Sequence, residues 1–188
     1  MANQKPLPRF TVPSLDPEIG AEVAGILQLR LHALNDLALT LKHVHWNVVG
    51  PHFIGVHEMI DPQVEVVRDY ADETAERITT LGSSVKGTPG SLVAERTWDD
   101  YSIGRADSIA HLGALDLVYQ GVITSHREAA AATEESDPVT NDMLIGQLRQ
   151  LELFHWFVRA HLENASGSLV TDDDSTEVSA AKSGAEIS

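Results

Sequence analysis

Cysteine is absent from the 188-residue chain. That excludes a disulfide framework and any thiolate metal site, so a bound metal would be held by nitrogen and oxygen. Basic residues are scarce: 13 Lys and Arg stand against 28 Asp and Glu, a formal charge of −15. Affinity for nucleic acid comes largely from cations that neutralise phosphates, so this balance argues against DNA binding by the body of the protein. An acidic field instead concentrates cations. No run of eighteen apolar residues occurs, which excludes an ordinary membrane-spanning helix. Met1 to Arg9 hold no apolar stretch, so no secretory signal is expected and the expected location is cytoplasmic. No polar/apolar alternation is flanked by hairpin turns, so strands leave no signal.

What remains is helical periodicity. Residues 1–15 read as a Pro-bearing, flexible N-terminal tail. Asp16-Pro17 then marks a helix start, with Asp16 capping and Pro17 at the first helical position. Val23, Ile26, Leu27, Leu31, Leu34, Leu37, Leu41 and Val44 recur at threes and fours, which predicts an amphipathic helix ending at Gly50-Pro51. A second helix is expected from about 55 to 81, with Gly82 beyond its end. Residues 83–104, broken by Gly87, Pro89, Gly90 and Gly104, read as a long connection with one or two helical turns. Two more helices follow, at about 106–133 and 140–163. The fold class predicted is all-α: one four-helix bundle domain over 16–164 with a crossover between helices two and three. From 165 to 188 Ser, Thr, Asp, Gly and Ala dominate, and this stretch reads as an acidic, low-complexity, flexible tail.

The chemistry lies in a spacing. His57 and Asp61 are i,i+4 on the second helix, and so are Asp72 and Glu76, so each pair adjoins on one face. At about 100° per residue all four share one side of the helix, with Glu65 in the same stripe. Imidazole with carboxylate suits divalent iron, manganese or zinc. His57 and Asp72 are nevertheless about 22 Å apart at ~1.5 Å per residue, so one chain cannot bring them to one ion. A two-fold axis across the helix would set His57 and Asp61 of one subunit against Asp72 and Glu76 of the other, twice over. His45 joins only if the chain reverses at Gly50-Pro51. Two alternatives stand beside this reading: a solvated acidic face, and a helix broken at Pro62, which would lose the phase but keep both pairs.

Lys42-His43-Val44-His45-Trp46-Asn47-Val48-Val49-Gly50-Pro51-His52-Phe53, His57-Glu58-Met59-Ile60-Asp61 and Asp72-Glu73-Thr74-Ala75-Glu76-Arg77 closely resemble the Dps family, the mini-ferritins of starved bacteria. The likeness extends over about residues 18–163. It implies a ferritin-like bundle with an extra short helix between helices two and three, assembled as a hollow dodecamer. It implies ferroxidase centres between two-fold-related subunits, with His45, Asp72 and Glu76 from one subunit and His57 and Asp61 from the other. It further implies oxidation of ferrous iron, with hydrogen peroxide as the usual oxidant, and storage of ferric mineral, which protects against oxidative stress. Trp46 matches a position held to accept or trap oxidising equivalents; core packing is its other reading. Asp137 and Asp142 match the region lining acidic three-fold iron-entry pores, and capping or solvation serves them equally well.

Other residues keep plainer readings. His43 points about 200° away from His45, toward structural hydrogen bonding. Glu152-x-x-His155 has the spacing of an intrasubunit di-iron motif, but it lacks a second copy. The family's best-known members coat DNA with basic tails. Here the tail carries Lys182 against Asp172, Asp173, Asp174, Glu177 and Glu186, so DNA binding is expected to be weak or absent. A nucleoid-compacting protein with secondary iron chemistry is the alternative function, and a metal-independent helical scaffold is a third.

Overall fold

The computed structural model describes residues 10–186. Residues 1–9 of the expected N-terminal tail lie outside the described residues. Helix α1 spans Pro17–Asn47 and α2 Phe53–Thr80, with a two-residue strand β1, Val48–Val49, between them. A short α3, Pro89–Glu95, interrupts the crossover, and β2, Ala106–Asp107, leads into α4, Ser108–Thr133. Helix α5, Pro138–Arg159, completes the bundle, and α6, Glu177–Ala185, lies beyond it.

The ends form as the local chemistry dictates. Asp16 accepts the Glu18 N–H at 2.8 Å, with Pro17 beside it in the first turn of α1. Gly82, at φ 87°, follows the last turn of α2 in a conformation that suits glycine. Pro62 does not break α2, which runs unbroken through it. Its missing N–H and its ring disturb one turn. Ile60, Val64 and Val67, all buried, hold the helix in line on either side.

Helices α1 and α2 pack along their lengths, as do α4 and α5, and α1 also meets α4. Leu27, Leu34, Leu41, Ile60, Leu115 and Leu151 lie fully buried between them. The predicted four-helix bundle with an extra helix in the crossover is therefore what forms. The sequence carried no strand signal, yet Val48 and Val49 pair in parallel with Ala106 and Asp107. A pair this short has no room for alternation; tertiary position creates it.

The C-terminal tail departs from expectation. It is not a flexible stretch throughout, because α6 packs on α4. A Cβ on Gly113 would collide with the Ala180 carbonyl, and one on Gly184 would lie 2.6 Å from that of Ile109. Small residues on both helices permit this approach, so burial here needs no large apolar side chains. Thr176 and Ser179 form a capping box that starts α6. Thr171, itself buried, donates to the Asp116 carboxylate at 2.9 Å. That carboxylate also accepts from His155 Nε2 at 2.6 Å and Arg159 Nε at 2.9 Å. Burial alone would raise the Asp116 carboxyl, but these bonds and the Arg159 charge outweigh it and hold it at about 2.

Candidate metal centre

The chain reverses between α1 and α2 at Gly50, whose φ of 97° favours glycine. The reversal is pinned from α4: Ser108 Oγ donates to the Val49 carbonyl at 3.1 Å, and β1 pairs with β2. It sets the last turn of α1 against the first turns of α2. His45 Nδ1 donates to the His57 carbonyl at 3.0 Å, and His57 Nδ1 donates to the His45 carbonyl at 2.9 Å. The two rings stack with centroids 3.6 Å apart and planes at 23°. Because each Nδ1 carries its proton toward a carbonyl, each Nε2 keeps a lone pair. This is how backbone acceptors fix the tautomer of metal-binding histidines.

Asp61 completes this half. Its Oδ1 lies 3.2 Å from His45 Nδ1 and 2.7 Å from Lys42 Nζ. The hydrogen bond from Lys42 holds its carboxyl below the ordinary range, aided by the Lys42 charge and against the opposing effect of burial. Phe53 tilts against the His57 ring at 5.1 Å. Sequence reasoning did not include Lys42, although its place three residues before His45 puts it on the same face.

Asp72 and Glu76 stand farther along α2, both exposed. The chain thus brings His45, His57 and Asp61 together and leaves Asp72 and Glu76 apart. The family resemblance put His45 with the acidic pair; within the chain it lies beside His57 and Asp61 instead. The reversal at Gly50 places His45 beside the start of α2, while Asp72 lies about 22 Å beyond His57. Among the described residues, no group of three or more His, Asp and Glu in the single chain is arranged to hold a metal ion.

Trp46 is 72% exposed, with Lys42 Nζ 5.9 Å from its ring centroid, so within the chain it is not a core residue. Asp137 is 4% exposed and accepts from Arg77 at 2.7 Å and Thr140 at 2.5 Å. Burial would raise its carboxyl; those bonds prevail and lower it. Asp142 is exposed. His43 donates to the Ile103 carbonyl at 2.8 Å, as its phase suggested. Glu152 and His155 share no site: Glu152 pairs with Arg127 and His155 with Asp116. Asp116, missed in the sequence, was visible as a lone acid inside the apolar run Gly113-Ala114-Leu115-Asp116-Leu117-Val118-Tyr119.

A helical bundle with a crossover and an N/O-donor half-site on its second helix defines a ferritin-like protein, and the ferritin-like domain family matches residues 25–167. DpsA14 from Streptomyces coelicolor superposes with a TM-score of 0.86 at 67% identity, covering 87% of this chain and 97% of that one. Mycobacterium smegmatis Dps superposes with a TM-score of 0.87 at 60% identity, covering 89% and 95%. The DNA protection during starvation protein of Mycolicibacterium smegmatis is 60% identical over 172 residues, 92% of this chain and 94% of that protein. The chain belongs to the Dps family. Among the described residues no helix is long and apolar enough to cross a membrane.

Proposed function

We propose that the protein is a Dps-type ferroxidase and iron store whose oxidation sites lie between two-fold-related subunits of a hollow dodecamer. One observation carries this reading. His45 and His57 lock each other's Nδ1 and leave both Nε2 atoms free, while Asp72 and Glu76 stand exposed at the other end of the same helix. Across a two-fold axis the histidines and Asp61 of one subunit meet Asp72 and Glu76 of its partner, and the same occurs at the symmetry-related position.

Iron is the substrate, and the residues divide the work. Neutral imidazole nitrogens bind ferrous iron while leaving it oxidisable. Carboxylates favour the ferric product, whose higher charge prefers anionic oxygen. One hydrogen peroxide accepts one electron from each of two ferrous ions and yields two hydroxide ions, so both reactants of hydroxyl-radical formation are consumed. Exposed Trp46, next to His45, is placed to lose an electron to stray oxidants. Asp142, on the solvent side of α5, is the residue we assign to iron entry; Asp137, tied to Arg77 and Thr140, serves the start of α5.

The acidic composition supports weak or absent DNA binding; the oxidative-stress role we assign, in the cytoplasm, rests on the ferroxidase reading and family membership. Rapid mixing of ferrous protein with peroxide tests the reading. Wild type should form ferric product far faster with peroxide than with oxygen, and His57→Ala should slow it while leaving the assembly's mass unchanged. Peroxide-driven oxidation undiminished in His57→Ala would remove the assignment. A plasmid retardation titration at two salt concentrations tests the DNA statement; tight, salt-sensitive retardation would contradict it.

A further inference from the structure

Three tyrosines occur in the chain, and their hydroxyls have different neighbours. Tyr119 donates to the Gln63 amide oxygen at 2.6 Å, which cannot take the proton. Tyr70 faces the charges of Glu73, Arg149 and Asp69 and has no imidazole beside it. Tyr101 alone among them donates to an imidazole, His111 Nδ1, at 2.9 Å. His111 is fully buried and stacks on Tyr101 with planes at 16°. On the other side His43 packs edge-on against Tyr101, with centroids 5.8 Å apart. His43 lies on α1 only two residues before His45, and Tyr101 lines an open groove of about 740 Å³ between α1 and α4.

We propose that Tyr101 and His111 form a proton-coupled sink for single oxidising equivalents escaping the iron site. This rests on the ferroxidase reading for its oxidant. When ferrous iron gives peroxide one electron instead of sharing the reduction with a second iron, the products are ferric iron, hydroxide and a hydroxyl radical. The radical takes one electron from Tyr101 and becomes hydroxide. The phenol O–H bond breaks, its proton moves to His111 Nδ1, and Tyr101 is left as a neutral phenoxyl. One electron and one proton leave tyrosine, and both have a stated destination.

The surroundings suit each stage. Burial keeps His111 neutral at rest, so Nδ1 can accept. The Asn47 and Gly104 carbonyls and the Asp107 charge act the other way and favour the imidazolium once formed, with His43 opposing them. Burial, with Glu177 nearby, raises the Tyr101 phenol, so it stays protonated until oxidised. No such acceptor serves Tyr119, which is fully buried, whereas Tyr101 is half-buried at the groove.

The test is freeze-quench electron paramagnetic resonance on the full-length assembly, in two arms. In one, ferrous-loaded protein is mixed with peroxide. In the other, iron-free protein is mixed with hexachloroiridate, an outer-sphere one-electron oxidant. A tyrosyl signal is expected in both, absent in Tyr101→Phe and retained in Tyr70→Phe and Tyr119→Phe. Tyr101→Phe keeps the ring that packs on His43 and His111 but removes the bond to His111 Nδ1, so circular dichroism and the assembly's mass are matched to wild type before the signal is read. A signal that survives Tyr101→Phe, or none in the iridate arm, overturns the proposal. An iridate signal without a peroxide signal, while iron is oxidised at the normal rate, overturns the link to the iron site. Failure of any iron oxidation would instead defeat the ferroxidase reading, with the iridate arm still judging Tyr101.

Discussion

Replacing Gly50 by alanine should loosen the iron half-site without touching a ligand. Gly50 sits at φ 97°, and an L-residue there costs about 1–2 kcal/mol. A Cβ at this position would also collide with the Asp107 carboxylate, whose other oxygen caps α4 by accepting the Ile109 N–H at 3.2 Å. Displacing that cap costs about 1 kcal/mol more. The expected total is about 2–3 kcal/mol, read as a lower denaturation midpoint at fixed subunit concentration. Because the same turn sets His45 against His57, ferrous affinity by titration calorimetry should fall as well. Adding Asp107→Ser, which keeps a capping oxygen on a shorter side chain, should return the cap's share but not the backbone's. A Gly50→Ala protein as stable as wild type with undiminished ferrous affinity would refute the reasoning.

Asp116→Asn should destabilise the bundle at neutral pH. The gap between an ordinary 3.8 and about 2 in the folded chain corresponds to about 2–3 kcal/mol. The folded value is the lower one, so this stability is present above about pH 4 and is lost as pH falls toward about 2; wild type and variant should converge across that window in acid denaturation. Gly113→Val should drive α6 off α4, and hydrogen exchange over Glu177–Ala185 should rise sharply while α1 and α2 keep their protection. Arg77→Met would leave the buried Asp137 carboxylate without its cation, a loss of about 3–5 kcal/mol in denaturant unfolding.

The bundle was legible because its four long helices keep a 3.6-residue apolar period and carry explicit ends, Asp16-Pro17 at one extreme and Gly82 at another. The His57–Asp61 and Asp72–Glu76 pairs were legible for the same reason, since i,i+4 spacing survives whatever the helix packs against. His45 was harder, because its place depends on a chain reversal rather than on periodicity. Spacing brought it in only on condition of a reversal at Gly50-Pro51, and the family resemblance put it with Asp72 and Glu76; the reversal sets it beside His57 and Asp61 of its own chain. Helix α6 was illegible because it buries backbone and methyl groups of Ala180, Ala181 and Gly184 rather than a recognisable apolar stripe. Its anchor, Thr171 on Asp116, joins residues 55 apart in the chain, a contact that no local pattern encodes.

The most direct measurement mixes two disabled proteins. One carries His45→Ala and His57→Ala; the other carries Asp72→Ala and Glu76→Ala. They are dissociated together, reassembled and assayed for peroxide-driven ferrous oxidation. If each centre takes its histidines from one subunit and its acidic pair from a two-fold mate, random mixing rebuilds about a quarter of the centres intact, and activity reappears. If each centre belongs to a single chain, the mixture stays as inactive as its parents, and the shared-site account is wrong.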